Sequence, residues 1–228
     1  SRANGLLSML TNLSIVLGVA LSGAILQIGP VVLGLVMIGI AIAGLIAAIR
    51  IPLRDSAAPH LSISARTFSS HLVVMREMRK TPLITAAFAW SWFYAVGSLV
   101  LMIVPEWRDA LELDDFAASA MLAMIGIGLG FGGLVAGFAS GHRIIAGFIP
   151  VGAIGMTMTF VLLGLLPPTY GMAVTLLGLC GVFAGFYVIP ILAMLQHLPV
   201  PGLRARVLGT SNFLTYVVMS ASAVLYAL

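Results

Sequence analysis

The chain has 228 residues, 61% of them hydrophobic and only 8% charged, with 11 Lys and Arg against 7 Asp and Glu, a net charge of +4. An ordinary soluble domain is about 25% charged, so this composition excludes a water-soluble fold and leaves an integral membrane protein. A helical form is expected over a barrel, because the apolar runs are continuous, whereas barrel strands alternate over roughly 10 residues. The basic residues sit in short loops between apolar runs, which argues against nucleic acid as a partner. The single cysteine, Cys180, lies inside an apolar run and permits no intrachain disulfide.

A membrane-crossing helix needs about 20 apolar residues. Seven stretches meet this: 5–28, 30–49, 83–104, 117–139, 146–166, 171–195 and 207–227. The first is too long for a signal-peptide core of about 7–15 residues and is read as a span. The chain opens on Ser1, which suggests a piece of a longer protein. Gly29-Pro30 reads as a tight turn between the first two spans. The longest polar stretch follows, Arg50 to Pro82. It holds Arg50, Arg54, Arg66, Arg76, Arg79 and Lys80 against only Asp55 and Glu77. Within it, Thr67 to Arg79 has helical spacing, with Phe68, Leu72 and Met75 on one side and His71, Arg76 and Arg79 around the other. That pattern suits a helix lying in the membrane interface with its basic face towards anionic headgroups; a solvated basic linker is the plainer alternative.

Lys and Arg resist translocation, so the basic stretch is assigned to the cytoplasmic side. Alternating sides from there puts the acidic loop Pro105 to Phe116 and the PPTY loop at Pro167 to Tyr170 outside. The SGHR loop with Arg143, the HLPVPGLRAR loop with Arg204 and Arg206, and Arg2 fall inside. Ten of the 11 basic residues are then cytoplasmic and only Arg108 is not, a consistency that a missed or extra span would destroy. None of the seven runs contains Asp, Glu, Lys or Arg, which argues against a proton relay within this part of the chain.

Residues 126–133 read GIGLGFGG, and Gly128, Gly130 and Gly133 satisfy G-x-G-x-x-G. A dinucleotide loop would need a preceding strand, a following helix and an acid about 20 residues on. Here the glycines lie in an uncharged run of spanning length, so close helix packing is the better account. Gly133 and Gly137, Gly137 and Gly141, and Gly181 and Gly185 repeat the four-residue spacing. Pro190 interrupts the sixth span and removes a backbone donor. With Tyr187 and Gln196 nearby it reads as a kink facing a cavity, or as a static kink. Asn12, Thr11 and Ser14 in the first span could line a pathway or join helices. Trp90, Trp92 and Tyr94 lie near the middle of the third span, too deep for ordinary interface anchors, and could stack on a ligand. His142 and His197 have no metal-ligand neighbours. No nucleophile–base or paired-carboxylate arrangement is evident, so no catalytic residue, metal or cofactor is assigned and the chain is not read as an enzyme.

Spans of this number around a long basic loop resemble the major facilitator superfamily, whose members have two six-span halves joined by such a loop. The resemblance implies an all-α polytopic membrane helical bundle, seven spans of a twelve-span fold. Residues 1–49 would be the last two spans of the N-terminal half, 50–82 the cytoplasmic basic linker with its interfacial helix, and 83–228 five spans of the C-terminal half. Within the superfamily, RANGLLSMLTNLSIVLG (Arg2 to Gly18) and GVFAGFYVIPILAMLQ followed by LRARVLGTSNFL are similar to the bacterial lysophospholipid transporter branch. The matching positions of the second stretch are Gly185, Tyr187, Pro190, Gln196, Arg204, Arg206, Val207 and Asn212. The chain departs from that branch at Leu192, where a polar residue is frequent, and from the superfamily in its loop between spans eight and nine, reduced here to SGHR.

The resemblance implies a secondary transporter working by alternating access, moving lysophospholipid across the bacterial cytoplasmic (inner) membrane. A major-facilitator exporter of drugs or metabolites is one alternative. The membrane part of a bifunctional acyltransferase and acyl-carrier-protein ligase is another. The partners implied are the bilayer, a lysophospholipid or other amphipathic small molecule, and the remaining spans of the same protein. The substrate pathway is expected along Asn12, Trp90, Tyr94, Tyr187, Pro190 and Gln196, with Arg204 and Arg206 in a cytoplasmic loop.

Overall fold

Inside a bilayer every backbone N–H and C=O must find its partner within the protein, and an uncharged run of 20 or so residues does this by coiling into a helix. The computed structural model describes residues 14, 17–18, 21–52, 66–141, 143–167, 169–200 and 202–227. They form eight helical segments: α1 (21–28), α2 (Pro30–Ile49), α3 (Arg66–Met78), α4 (Leu83–Ala110), α5 (Asp115–Ser140), α6 (Phe148–Leu165), α7 (Tyr170–His197) and α8 (Arg204–Ala227). Six of these, α2 and α4 to α8, are long and apolar enough to cross a membrane. The greater part of the first expected span lies outside the described residues, as do Asn12 and Thr11.

The turn expected between the first two spans is present. Gly29 adopts φ 148°, a region that side chains rarely tolerate, and Pro30 opens α2 where its missing N–H is not needed. Helix α5 is started by Asp114, whose Oδ1 accepts from the Ala117 N–H at 2.7 Å. Helix α7 is started by Thr169, whose Oγ1 accepts from Met172 N at 3.4 Å.

Two boundaries differ from the apolar runs. Helix α4 continues through Pro105 to Ala110, and α5 already begins at Asp115, so most of the expected acidic loop is helical. The projecting turn is tied down by the Arg108–Asp115 ion pair at 2.8 Å and by a hydrogen bond from Tyr226 to Glu106. Helix α8 begins at Arg204, so Arg204 and Arg206 sit in its first turn and not in a loop. An apolar run ends at its first charge, but a helix need not end there.

Helix directions follow from which residues touch. On α4 and α8, Ser91 meets Thr215 at 3.2 Å and Ser98 meets Ser222 at 3.3 Å. Both helices advance seven residues between the two contacts, so they run parallel. On α5 and α7, Gly128 lies against Gly178, and Gly132 against Val182, so these are parallel too. Gly152 of α6 faces Phe183 and Tyr187, while Gly155 faces only Phe183, so α6 runs antiparallel to α7. These directions are those of strict alternation across α4 to α8.

Helix α7 is the centre of the bundle. Its most apolar window is 61% buried, against 28% or less for every other spanning helix described. One apolar cluster joins it to α3, α4 and α8 through Met78, Ala87, Ile191, Leu195 and Val207. A second joins it to α5 and α6 through Met121, Leu163, Ala173 and Leu177. Helix α2, by contrast, buries no residue.

The expected faces of α3 need correction. His71 does not point to headgroups. Its ring stacks on Phe213 with centroids 4.7 Å apart, and its Nδ1 shares a 3.0 Å hydrogen bond with Thr210 Oγ1. The side that docks is His71, Val74 and Met78, whereas Leu72, assigned to the apolar side, is 65% exposed. The Phe68 side chain lies outside what the structure describes. Leu72 to Met75 is a continuous apolar run, so two stripes of helical spacing compete, and only the position of α8 selects between them.

Candidate functional site

Trp90, Phe93 and Tyr94 lie on successive turns of α4, where residues three or four apart share a face. Tyr94 lies tilted against Trp90, 5.1 Å between centroids, and edge-on to Phe93, at 5.5 Å. Phe93 continues to Tyr187 of α7, with centroids 6.1 Å apart. The Tyr187 ring is held at both ends. Its hydroxyl donates to the Ala89 carbonyl across the helix pair at 3.1 Å. Its backbone lies against Gly152 of α6, where an added Cβ would stand 2.6 Å from Tyr187 N and 2.8 Å from its Cβ. Absence of a side chain at Gly152 therefore lets α6 press on α7 at this level.

The cluster is graded in exposure. Tyr187 is buried, Trp90 and Phe93 are half-buried, and Tyr94 is 39% exposed. Trp92 points the other way and is 65% exposed, so it parts from Trp90 and Tyr94. Aromatic faces that pass from buried to open, with phenol groups among them, can bind an apolar tail by contact and a cationic head over the ring faces.

Among the other expected pathway residues, Pro190 lies inside α7, buried and close to Tyr187 in sequence, and the helix remains continuous through it. Gln196 is half-buried near the end of α7, next to the exposed Arg204 and Arg206 of α8 in chain order. No described contact joins Gln196 to the aromatic cluster. Asn12 and His142 lie outside the described residues.

Sequence reasoning missed three features. Phe93 is the ring that links α4 to α7. The hydroxyl ladder of Ser91, Ser98, Thr215 and Ser222 zips α4 to α8; each hydroxyl also lies 2.7–2.9 Å from a backbone carbonyl of its own helix, so in each pair one O–H donates across the seam and the other donates to its own helix. Its signal was legible as small hydroxyl residues seven apart on both helices. The third is Gly132 of α5, which packs on Val182 between Gly128 and Gly133, two glycines that meet α7 as expected; Gly130 and Gly137 face open space. Gly181 and Gly185 of α7 pack as their spacing suggested, against Leu129 and Gly132. Among the described residues, every buried side-chain nitrogen and oxygen has a hydrogen-bond partner.

Long apolar helices in alternation, packed through glycines and hydroxyls, define a polytopic helical membrane protein. The Major Facilitator Superfamily sequence profile matches residues 1–223. The chain belongs to that superfamily. It is similar to the proteins named lysophospholipid transporter LplT from Salmonella newport (strain SL254) and Salmonella typhimurium (strain LT2), at 32% identity over 206 residues, 86% of this chain. The chain spans about half the length of these curated relatives, 50% of each. No solved structure matches it.

Proposed function

We propose that this chain is part of a secondary transporter that carries lysophospholipid across the bacterial inner membrane by alternating access, rocking one set of helices against another around a site near mid-membrane. The observation that carries the reading is the aromatic face of Trp90, Phe93, Tyr94 and Tyr187. It lies within α4 and α7, well inside two spanning helices, and offers rings without a formal charge. A lysolipid has one long apolar chain and a small polar head, and an ammonium head group is attracted to ring faces. The relatives named for lysophospholipid transport support the same substrate class. In this reading residues 1–49 supply spans of one half, 50–82 the cytoplasmic linker and 83–228 spans of the other. Transport, not catalysis, is the activity.

Cells that lack their own uptake of lysophosphatidylethanolamine, and express the gene encoding this chain, should accumulate the radiolabelled lipid. Resistance to, or efflux of, cationic drugs without lysolipid uptake would favour the exporter reading and overturn this one.

Sidedness gives a second expected result. In a background with Cys180 replaced by alanine, single cysteines at positions 79 and 204 should resist an impermeant maleimide in whole cells. Cysteines at 112 and 114 should react. Labelling of position 79 without lysis would refute the cytoplasmic linker.

A further inference from the structure

A groove of about 260 Å³ opens where α3, the start of α4 and the α7–α8 turn meet. Its walls are apolar: Val74, Met78, Leu83, Leu198, Leu203 and Val207. Glu77, Lys80 and Arg206 also line it. Lys80 Nζ stands 3.2 Å from Glu77 Oε1, so those two charges largely cancel. Arg206 has neither ion pair nor hydrogen bond among the described residues, which leaves one unmatched cation beside an apolar slot.

Two further observations fix the kind of ligand. Val73 and Val200, which also line the groove, are 57% and 61% exposed. Such apolar lips are unfavourable in water and suit the boundary between headgroups and acyl chains. The first turn of α8, which contributes Arg206, is the positive end of a helix and contains no acid. An apolar slot with a cation at its mouth complements an amphiphile with an anionic head and a hydrocarbon tail.

We infer that this groove binds an anionic diacyl phospholipid of the surrounding leaflet, one acyl chain lying along Val74, Leu203 and Val207 and the phosphate held by Arg206. The lipid would brace α3 against the α7–α8 turn. The inference needs only the membrane character of the protein and is independent of what the protein transports.

The test is thermal unfolding of the purified protein in a neutral detergent, titrated with phosphatidylglycerol or phosphatidylcholine. Phosphatidylglycerol should raise the unfolding temperature saturably, while phosphatidylcholine should have little effect. Losing a hydrogen bond to a charged group should raise the half-saturating concentration about tenfold in Arg206→Gln, and Arg206→Lys should restore most of it. Val73→Trp, at an exposed position on the lip, should weaken the effect by blocking chain entry without disturbing the core. Equal responses to the two lipids, or an unchanged titration in Arg206→Gln, would overturn the inference. Lysophosphatidylglycerol acting as strongly as the diacyl lipid, with the same dependence on Arg206, would overturn the diacyl assignment.

Discussion

Replacing Gly132 with alanine is expected to destabilise the bundle, although alanine is the better helix former. A Cβ at Gly132 would overlap the Val182 carbonyl oxygen and stand 2.7 Å from its carbon and 2.8 Å from its Cα. All three atoms are backbone, so no rotamer change relieves the overlap and the two helices must separate. Gly128, Gly181 and Gly185 meet backbone in the same way, so separation at one point strains the entire seam. Overpacking of this kind costs about 1–3 kcal/mol, and Gly132→Leu should prevent folding altogether. Gly130 is two residues away on the same helix with nothing within 4 Å. Gly130→Ala should therefore be neutral, or stabilising by up to about 1 kcal/mol through helix propensity. Thermal unfolding in detergent, followed by circular dichroism, measures both. If the two substitutions behave alike, the α5–α7 seam is not set by its glycines.

Tyr187 should separate packing from transport. Tyr187→Ala removes a buried ring that touches Phe93 and faces Gly152, a large-to-small change worth about 3–5 kcal/mol. Low expression and little uptake are expected. Tyr187→Phe keeps the ring and loses only the hydrogen bond to Ala89, about 0.5–1.5 kcal/mol, so the protein should fold. If the aromatic face meets the substrate, lysolipid uptake by Tyr187→Phe should fall several-fold at most. Trp90→Ala, at a half-buried position closer to the open end of the cluster, should then raise the lysolipid concentration needed for half-maximal uptake without a matching loss of expression. Unmodified uptake by Trp90→Ala and Tyr187→Phe together would make this face scaffold, and the substrate path would have to be sought on other helices.

Much of the helical plan could be read from the chain because lipid allows so few alternatives. Runs such as 30–49 and 171–195 must be helical once they are in a bilayer, since no water is present to satisfy an open backbone. The structure returns them as Pro30–Ile49 and Tyr170–His197. The edges were less legible. Charges at Glu106, Arg108, Arg204 and Arg206 end an apolar run but not the hydrogen-bond ladder, so α4 and α8 extend beyond the runs that announced them. The candidate site was partly visible. Trp90 and Tyr94 declared themselves by depth, and Tyr187 by its place near Pro190. That Trp90 and Phe93 pack towards Tyr187 while Trp92 faces away is fixed only by where α7 lies.

By itself, then, the sequence determined the membrane class, the helices and their alternation, because burial of charge and of unpaired backbone in lipid is costly at every position. Partner choice belonged to the tertiary structure. Gly128, Gly132 and Gly133 meet α7 while Gly130 and Gly137 face away, and His71 turns inward to Thr210 and Phe213 rather than outward. Each of these helices offers more than one small or apolar stripe of similar spacing. In lipid those stripes differ little in hydrophobic energy, so the choice between them rests on close contact and hydrogen bonding across helices far apart in the chain.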